Sequence, residues 1–285
     1  GSVNAIAANT IQGGIWIGLG TGLFYSDGQS FTRYQFTGKT AVGYPLVYAF
    51  AFADNGNGWA ATSEGVLHYN ERTGKWENVT PANADIPFGL SYLIAPDQQD
   101  GLWVLGDGYL AHFDGKQLEH WPIPREISKS VPRPYAIVQF QDHLWVAAGD
   151  RGLWRFDGQA WSEVLPLTIL SLTQEHNEKL YILERTREDR QSVLVYDGTD
   201  WRRLPDCVAC GWLSPPTLSS DTAHRIWRVD TSSIWRYSAD EGWCNILKLS
   251  DVSDYTSIQI DTRGGLWVAN HLGGILHCAQ ESCEL

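Results

Sequence analysis

The sequence predicts an all-β chain folded as a seven-bladed β-propeller with four antiparallel strands per blade. Three observations predict it: a Trp motif that recurs at a near-constant step, an Asp-Gly turn signal inside the repeat, and no stretch with a sustained helical period. The motif is a Trp after an aliphatic residue, as in Ile15-Trp16-Ile17, Leu102-Trp103-Val104, Leu144-Trp145-Val146, Ile226-Trp227-Arg228 and Leu266-Trp267-Val268. Weaker copies stand at Gly58-Trp59-Ala60 and at Leu180-Tyr181-Ile182, where Tyr takes the Trp place. The anchors at 16, 59, 103, 145, 181, 227 and 267 step by about 42 residues, the length of four short strands with their turns.

Each anchor strand is preceded by an apolar inner segment that ends near an Asp or Gly turn, such as Tyr255 to Asp261. It is followed by a polar loop and a Gly-aliphatic pair: Gly22-Leu23, Gly65-Val66, Gly152-Leu153, Gly274-Ile275. Next comes an Asp-Gly turn at Asp27-Gly28, Asp114-Gly115, Asp157-Gly158 and Asp197-Gly198, a strong hairpin signal because Gly takes positive φ at little cost. Phe31, Trp161 and Trp201, three residues after the Gly, are expected to close the outer hairpin. Six of the 14 Trp are anchors, and Trp161, Trp201 and Trp243 belong to outer hairpins, which leaves Trp212 conspicuous in an inter-blade connection.

The segment LWVAAGDRGLWRFDGQAW, residues 144–161, displays the unit best, and it resembles the two-component regulator propeller repeat: aliphatic-Trp-Val-Gly/Ala, a loop, Gly-Leu, then an aromatic-Asp-Gly hairpin. The resemblance runs from Val3 to about Cys283, with departures at Gly58, Tyr181 and Ser238 to Gly242. It implies a bacterial sensor-type propeller that meets an extracytoplasmic ligand such as a glycan, with signalling domains attached in a parent protein. Gly1-Ser2 reads as an expression scar, so one propeller is expected over 3–285. The copies begin with an inner strand and end with an outer one. The first blade should therefore pack on the last without sharing strands.

Composition narrows the function. Of 285 residues, 21 are Lys or Arg and 33 Asp or Glu, a net charge of −12, and no cluster of cations stands out to attract a polyphosphate. Nucleic acid is therefore not expected as a partner. No apolar run reaches the length of a membrane-spanning helix.

In the last repeat Cys278 and Cys283 occupy the places of the aromatic pairs Phe156/Trp161 and Tyr196/Trp201. A disulfide between them is expected, since opposed Cβ atoms about 4.5–5.5 Å apart are near bonding reach. Cys207-Val208-Ala209-Cys210 reads as a loop staple, with Cys244 a buried free thiol. A redox centre would want a helix N-terminus, and a zinc site two more ligands of similar spacing. Paired cysteines fit a periplasmic or extracellular home.

A blade whose first strand is innermost places the inter-blade connections and the second-to-third-strand loops at one end, and the Asp-Gly hairpins at the other. The first end is where propellers present ligands, and it should carry Thr21, Glu64, Asp107, Asp150, Arg151, Asp230, Asn270 and His271. Blade 5 should add the longest such loop, 184–192 (ERTREDRQS). Tyr48, Tyr92 and Tyr135 occupy one position at the start of three successive inner strands, with Tyr44, Phe88, Arg133, Trp212 and Tyr255 nearby. Aromatic faces beside polar groups suit sugar rings, although blade packing also explains them. The expected ligand-binding set is Tyr48, Tyr92, Arg133, Tyr135, Arg151, Trp212, Tyr255 and His271.

No nucleophile elbow, H-E-x-x-H, P-loop or EF-hand loop occurs, and the eight His look scattered. No catalytic residues are assigned and no cofactor is expected, while Glu64, Asp107, Asp150, Asp230 and His271 keep two metal readings open. One is Ca²⁺ held by a carboxylate ring. The other is a metal-dependent propeller enzyme of the lyase or lactonase type. A protein-binding platform is the remaining alternative.

Overall fold

The computed structural model describes residues 3–9, 13–34, 36–37, 46–53, 55–63, 65–70, 73–79, 93–97, 99, 101–106, 108–128, 136–186, 188, 190–207, 210, 217–230, 232–249, 255–270, 274–279 and 282–284. Side chains at 36, 37, 255, 256 and 282–284 fall outside the description. Seven antiparallel sheets occupy 3–34, 47–78, 93–122, 136–165, 168–203, 218–248 and 255–284, and in each the four strands follow one another in chain order. The protein is a seven-bladed β-propeller, and these sheets are blades 1 to 7. Among the described residues one short helix, Arg125–Ser128, precedes blade 4.

Blade 2 departs from the repeat. Phe36–Thr37, on the connection out of blade 1, pairs in parallel with the outer strand Lys75–Asn78 and adds a fifth strand that covers an open sheet edge. No sequence signal marked this two-residue strand.

The chain divides into two compact units, residues 1–122 with 259–285 and residues 123–258. In the first, Ile15 and Ile17 of blade 1 pack with Trp267 and Ala269 of blade 7. The Gly14 amide donates to Asp261 Oδ2 at 3.1 Å. Gly14 has φ +76°, and a Cβ there would collide with the Ser26 carbonyl, so only glycine fits this junction. First and last blades meet as expected, each keeping its own four strands. Between blades 1 and 2, Trp16 is ringed by Tyr25, Tyr34, Tyr69 and Trp76 at centroid separations of 4.7–5.2 Å.

In the second unit, Trp145, Ala147 and Leu153 of blade 4 pack with Ile169, Leu180 and Ile182 of blade 5. On the other face of blade 5, Tyr181, Leu183, Val193 and Val195 pack with Leu218 and Ile226 of blade 6. Alternation along Leu180-Tyr181-Ile182-Leu183 thus feeds both neighbouring seams, as a strand buried on two faces must.

The outer hairpins show what the closing aromatics need. Trp161 stands opposite Phe156 with rings 5.0 Å apart, and Trp201 opposite Tyr196 at 4.6 Å. Phe31 faces Ser26 instead and is 66% exposed, so with no ring opposite it closes nothing.

The charged segment 184–192 is shorter as a loop than expected. Strands Lys179–Arg185 and Gln191–Tyr196 extend into it and pair Glu184 with Ser192 and Arg185 with Gln191, with Glu184 and Ser192 buried.

Candidate functional site

The meander gives every blade two ends: a turn end, with the first-to-second and third-to-fourth turns, and a loop end, with the second-to-third loop and the connection to the next blade. The side chains at the two ends do different work.

At the turn end, an acid six residues before the anchor ties the turn together. Asp261 Oδ2 accepts from Trp267 Nε1 at 2.9 Å, while Oδ1 accepts the Arg263 and Gly265 amides. Asp221 repeats this, taking Trp227 Nε1 and Arg225 Nε at 2.7 Å and the amides of Ala223 and Arg225. Glu175 accepts from the Tyr181 hydroxyl at 2.6 Å and pairs with His224 and Lys179. Burial of Tyr181 pushes its phenol up, against the pull of Arg202. Asp97 takes the Gln99 and Gly101 amides and pairs with His112 Nε2 at 2.6 Å. Burial raises the Asp97 carboxyl, but the His112 bond and the two amides outweigh it and hold it below the usual carboxylate range.

The histidines are less scattered than the sequence suggested. His68, His112 and His277 are the cross-strand partners of Trp59, Trp103 and Trp267, with ring centroids 4.4, 4.2 and 3.8 Å apart. Arg155 and Arg236 stand in the same register opposite Trp145 and Trp227, each guanidinium within 6 Å of an anchor ring. A Trp followed nine or ten residues later by His, Arg or Tyr was the signal to find. The four Asp-Gly aspartates also belong to the turn end. Asp27, Asp114, Asp157 and Asp197 each accept two backbone amides, which lowers their carboxyls, Asp197 to about 2.

At the loop end, polar side chains gather where blades 4, 5 and 6 meet. Glu184, buried, accepts from the Ser192 hydroxyl at 2.7 Å and pairs with Arg203, whose Nη1 also reaches Ser192. Arg228, also buried, donates to Gln191 Oε1 at 3.1 Å and lies over the Trp243 ring. Burial drives its guanidinium down to about 10, against the upward pull of Asp230. Asp230 is no free rim carboxylate: it is buried and accepts from the Ser232 amide and hydroxyl and from Trp235 Nε1 at 2.7 Å. That corrects its expected place at an open mouth.

Of the expected ligand-binding residues, two have described side chains. Arg151 is exposed at the loop end of blade 4, beside Asp150 at 3.6 Å. Tyr48 is half-buried and packs against the core of Ala51, Trp59, Val66 and Leu102 between blades 2 and 3. Tyr255 begins the inner strand of blade 7, its side chain outside the description. Tyr92, Arg133, Tyr135, Trp212 and His271 lie outside the described residues, as do Tyr44, Glu64, Phe88 and Asp107. Among the described residues no group of three or more His, Cys, Asp or Glu side chains is placed to hold a metal ion.

Cys207 and Cys210 form a disulfide in the connection from blade 5 to blade 6. Cys244 is a free thiol, half-buried rather than fully buried. Cys278 is disulfide-bonded, and the backbone register sets it directly opposite Cys283, whose side chain lies outside the described residues. No described helix is long and apolar enough to cross a membrane.

No protein-family model matches the chain, and neither does any curated protein sequence. Solved structures do. Virginiamycin B lyase from Staphylococcus aureus, as the selenomethionine protein, aligns at TM-score 0.71 with 14% identity over 96% of this chain and 93% of that one. YCF48 bound to D1 peptide aligns at TM-score 0.67 with 13% identity over 97% and 92%. The extracellular domain of the putative one component system BT4673 from B. thetaiotaomicron aligns at TM-score 0.66 with 19% identity, over 96% of this chain and 38% of that one. These likenesses establish the propeller fold, which hosts a lyase, a peptide-bound protein and an extracellular domain of a putative one component system alike.

Proposed function

We propose that this chain is a non-enzymatic recognition propeller that binds a small extracytoplasmic ligand, such as a glycan, at the loop ends of its blades. One observation carries the reading: the two ends of the blades differ in what their polar groups are free to do. At the turn end Asp27, Asp97, Asp114, Asp157, Asp197, Asp221, Asp261 and Glu175 are committed to backbone amides, indoles, a phenol or a histidine. At the loop end Arg151 and Arg203 keep about half of their side chains in solvent. The extracellular domain of a putative one component system among the structural neighbours supports the same role. The Cys207–Cys210 disulfide fits an oxidising compartment, periplasmic or extracellular.

The test is a glycan array probed with the intact chain, followed by titration of any hit against Tyr135→Ala, Trp212→Ala and Arg151→Ala. Saturable binding that weakens in these variants is expected. Binding indifferent to all three would show that the loop ends are not the site. The peptide-bound YCF48 favours a second reading, a protein-binding platform, which a pull-down beside the array separates from the first. The lyase neighbour favours a third, an enzyme, for which the metal-dependent lyase or lactonase type is the form to test. Metal analysis of the purified chain, with Glu64→Ala and His271→Ala, decides that case.

A further inference from the structure

The seam of blades 4 and 5 holds a guanidinium that is oriented from behind and open in front. Glu184 lies two and four residues beyond Ile182 and Leu180, on the strand face that packs on Trp145 and Leu153, so it points toward blade 4. The carboxylate is buried, its charge met by the Ser192 hydroxyl and by Arg203 Nη1. Ser192 is the second residue of the third strand of blade 5 and Arg203 ends the fourth, so the backbone ladder fixes the arrangement. Nη1 of Arg203 is engaged twice, by Glu184 and Ser192, whereas Nε and Nη2 have no partner among the described residues. The Arg203 side chain is 47% exposed. That open edge is the fork which receives a carboxylate in two parallel bonds.

A second cation flanks it. The Ile169 amide donates to the Gly149 carbonyl at 2.9 Å, and Ile169 is the cross-strand partner of Glu184. This bridge brings the loop that carries Arg151, two residues past Gly149, to the same seam. Arg151 is 51% exposed, and among the described residues its side chain pairs only with Asp150, at 3.6 Å. Arg151 and Arg203 both keep about half of their side chains in solvent here, in a chain whose net charge is −12. A negatively charged ligand repelled by most of the molecule is drawn to this point.

We propose that this seam binds the carboxylate of an acidic ligand, with Arg203 forming the bidentate contact, Arg151 the flanking charge and Glu184 acting as the positioning residue. The proposal rests on the loop-end reading above and gives it a ligand class, an acidic rather than a neutral glycan. The test is calorimetric titration of the intact chain with tetragalacturonate and with its methyl ester, which keeps the rings and removes the charge. The acid should bind at least about tenfold more tightly than the ester. Arg203→Lys keeps a counter-charge for Glu184 but loses the fork, and it should lose about tenfold in affinity at an unchanged melting temperature. The double change Glu184→Gln with Arg203→Gln removes the ion pair without stranding a buried charge, and it should erase the preference for acid over ester. Equal binding of acid and ester, or an Arg203→Lys variant that binds as the native chain does, overturns the carboxylate site and leaves loop-end recognition standing. Failure of both probes to bind also overturns it, and the glycan array then judges the broader reading alone.

Discussion

Replacing Asp261 by Ala tests the logic of the turn end most sharply. The carboxylate receives Trp267 Nε1 at 2.9 Å, the Gly14 amide at 3.1 Å, the Gly265 amide at 2.8 Å and the Arg263 amide at 2.9 Å. The first three of these donors are buried, and a buried donor left unsatisfied costs about 1–3 kcal/mol. Water entering the space of the lost carboxylate recovers part of that, so a net loss of about 3 kcal/mol is expected, or a melting temperature lower by roughly 6–10 °C. Urea denaturation with a fluorescence readout measures it directly. The reciprocal change is Ala53→Asp. Ala53 closes the same turn, its amide donating to the Asn57 carbonyl at 2.9 Å as that of Asp261 does to Gly265, and it precedes Trp59 by six residues. Trp59 Nε1 is buried with no hydrogen-bond partner among the described residues. Supplying the missing acceptor should stabilise the chain by about 1 kcal/mol. A loss under about 1 kcal/mol for Asp261→Ala, together with destabilisation by Ala53→Asp, would refute the claim that these acids hold the anchor indoles.

Three further outcomes follow from the same structure. The carboxyls of Asp27, Asp97, Asp114, Asp157 and Asp197 are lower in the folded chain than the ordinary value, so their stabilisation is complete above about pH 4 and fades as acid protonates the folded form, for Asp197 near pH 2. Melting temperature should therefore fall between about pH 4 and 2, with a shallower slope in Asp197→Asn; an identical slope would remove the Asp-Gly turns from the account. Arg228→Ala should destabilise by about 3 kcal/mol, since it removes the positive charge that acts on the buried Asp230 carboxylate, whereas the same change in an Asp230→Asn background should cost less; equal losses in chemical denaturation would contradict the coupling. Reducing Cys207–Cys210 opens a loop of only four residues and should lower stability by about 2 kcal/mol at most, so blades 5 and 6 remain folded by circular dichroism in a Cys207→Ser, Cys210→Ser chain.

What the sequence made legible is what repeats at a fixed offset along the chain. The anchors at 16 to 267, the Asp-Gly turns and the aromatic pairs across the outer hairpin all recur locally, because each is set by adjacent strands and a short turn. The pairing of Trp103 with His112 or Trp145 with Arg155 also repeats, but at an offset of nine or ten that changes with the second-to-third loop, and the partner changes type between blades. Such a relation is a cross-strand register, visible once the ladder is built. Glu184, Ser192 and Arg203 illustrate the larger gap. Their meeting depends on strands that lengthen into a segment whose charge density looked like a solvated loop. Phe31 failed for the opposite reason: its position obeys the repeat, but Ser26 across the hairpin removes the ring it would pack on.

The central claim is that the loop ends recognise a ligand while the turn ends hold the blades. Hydrogen–deuterium exchange on the intact chain, with and without the tightest-binding glycan from the array, measures both ends at once. The account predicts new protection in 149–152, 184–192 and 201–204, with 221–227 and 261–267 unchanged. Protection confined to 221–227 and 261–267, or an array on which no glycan binds, would contradict it.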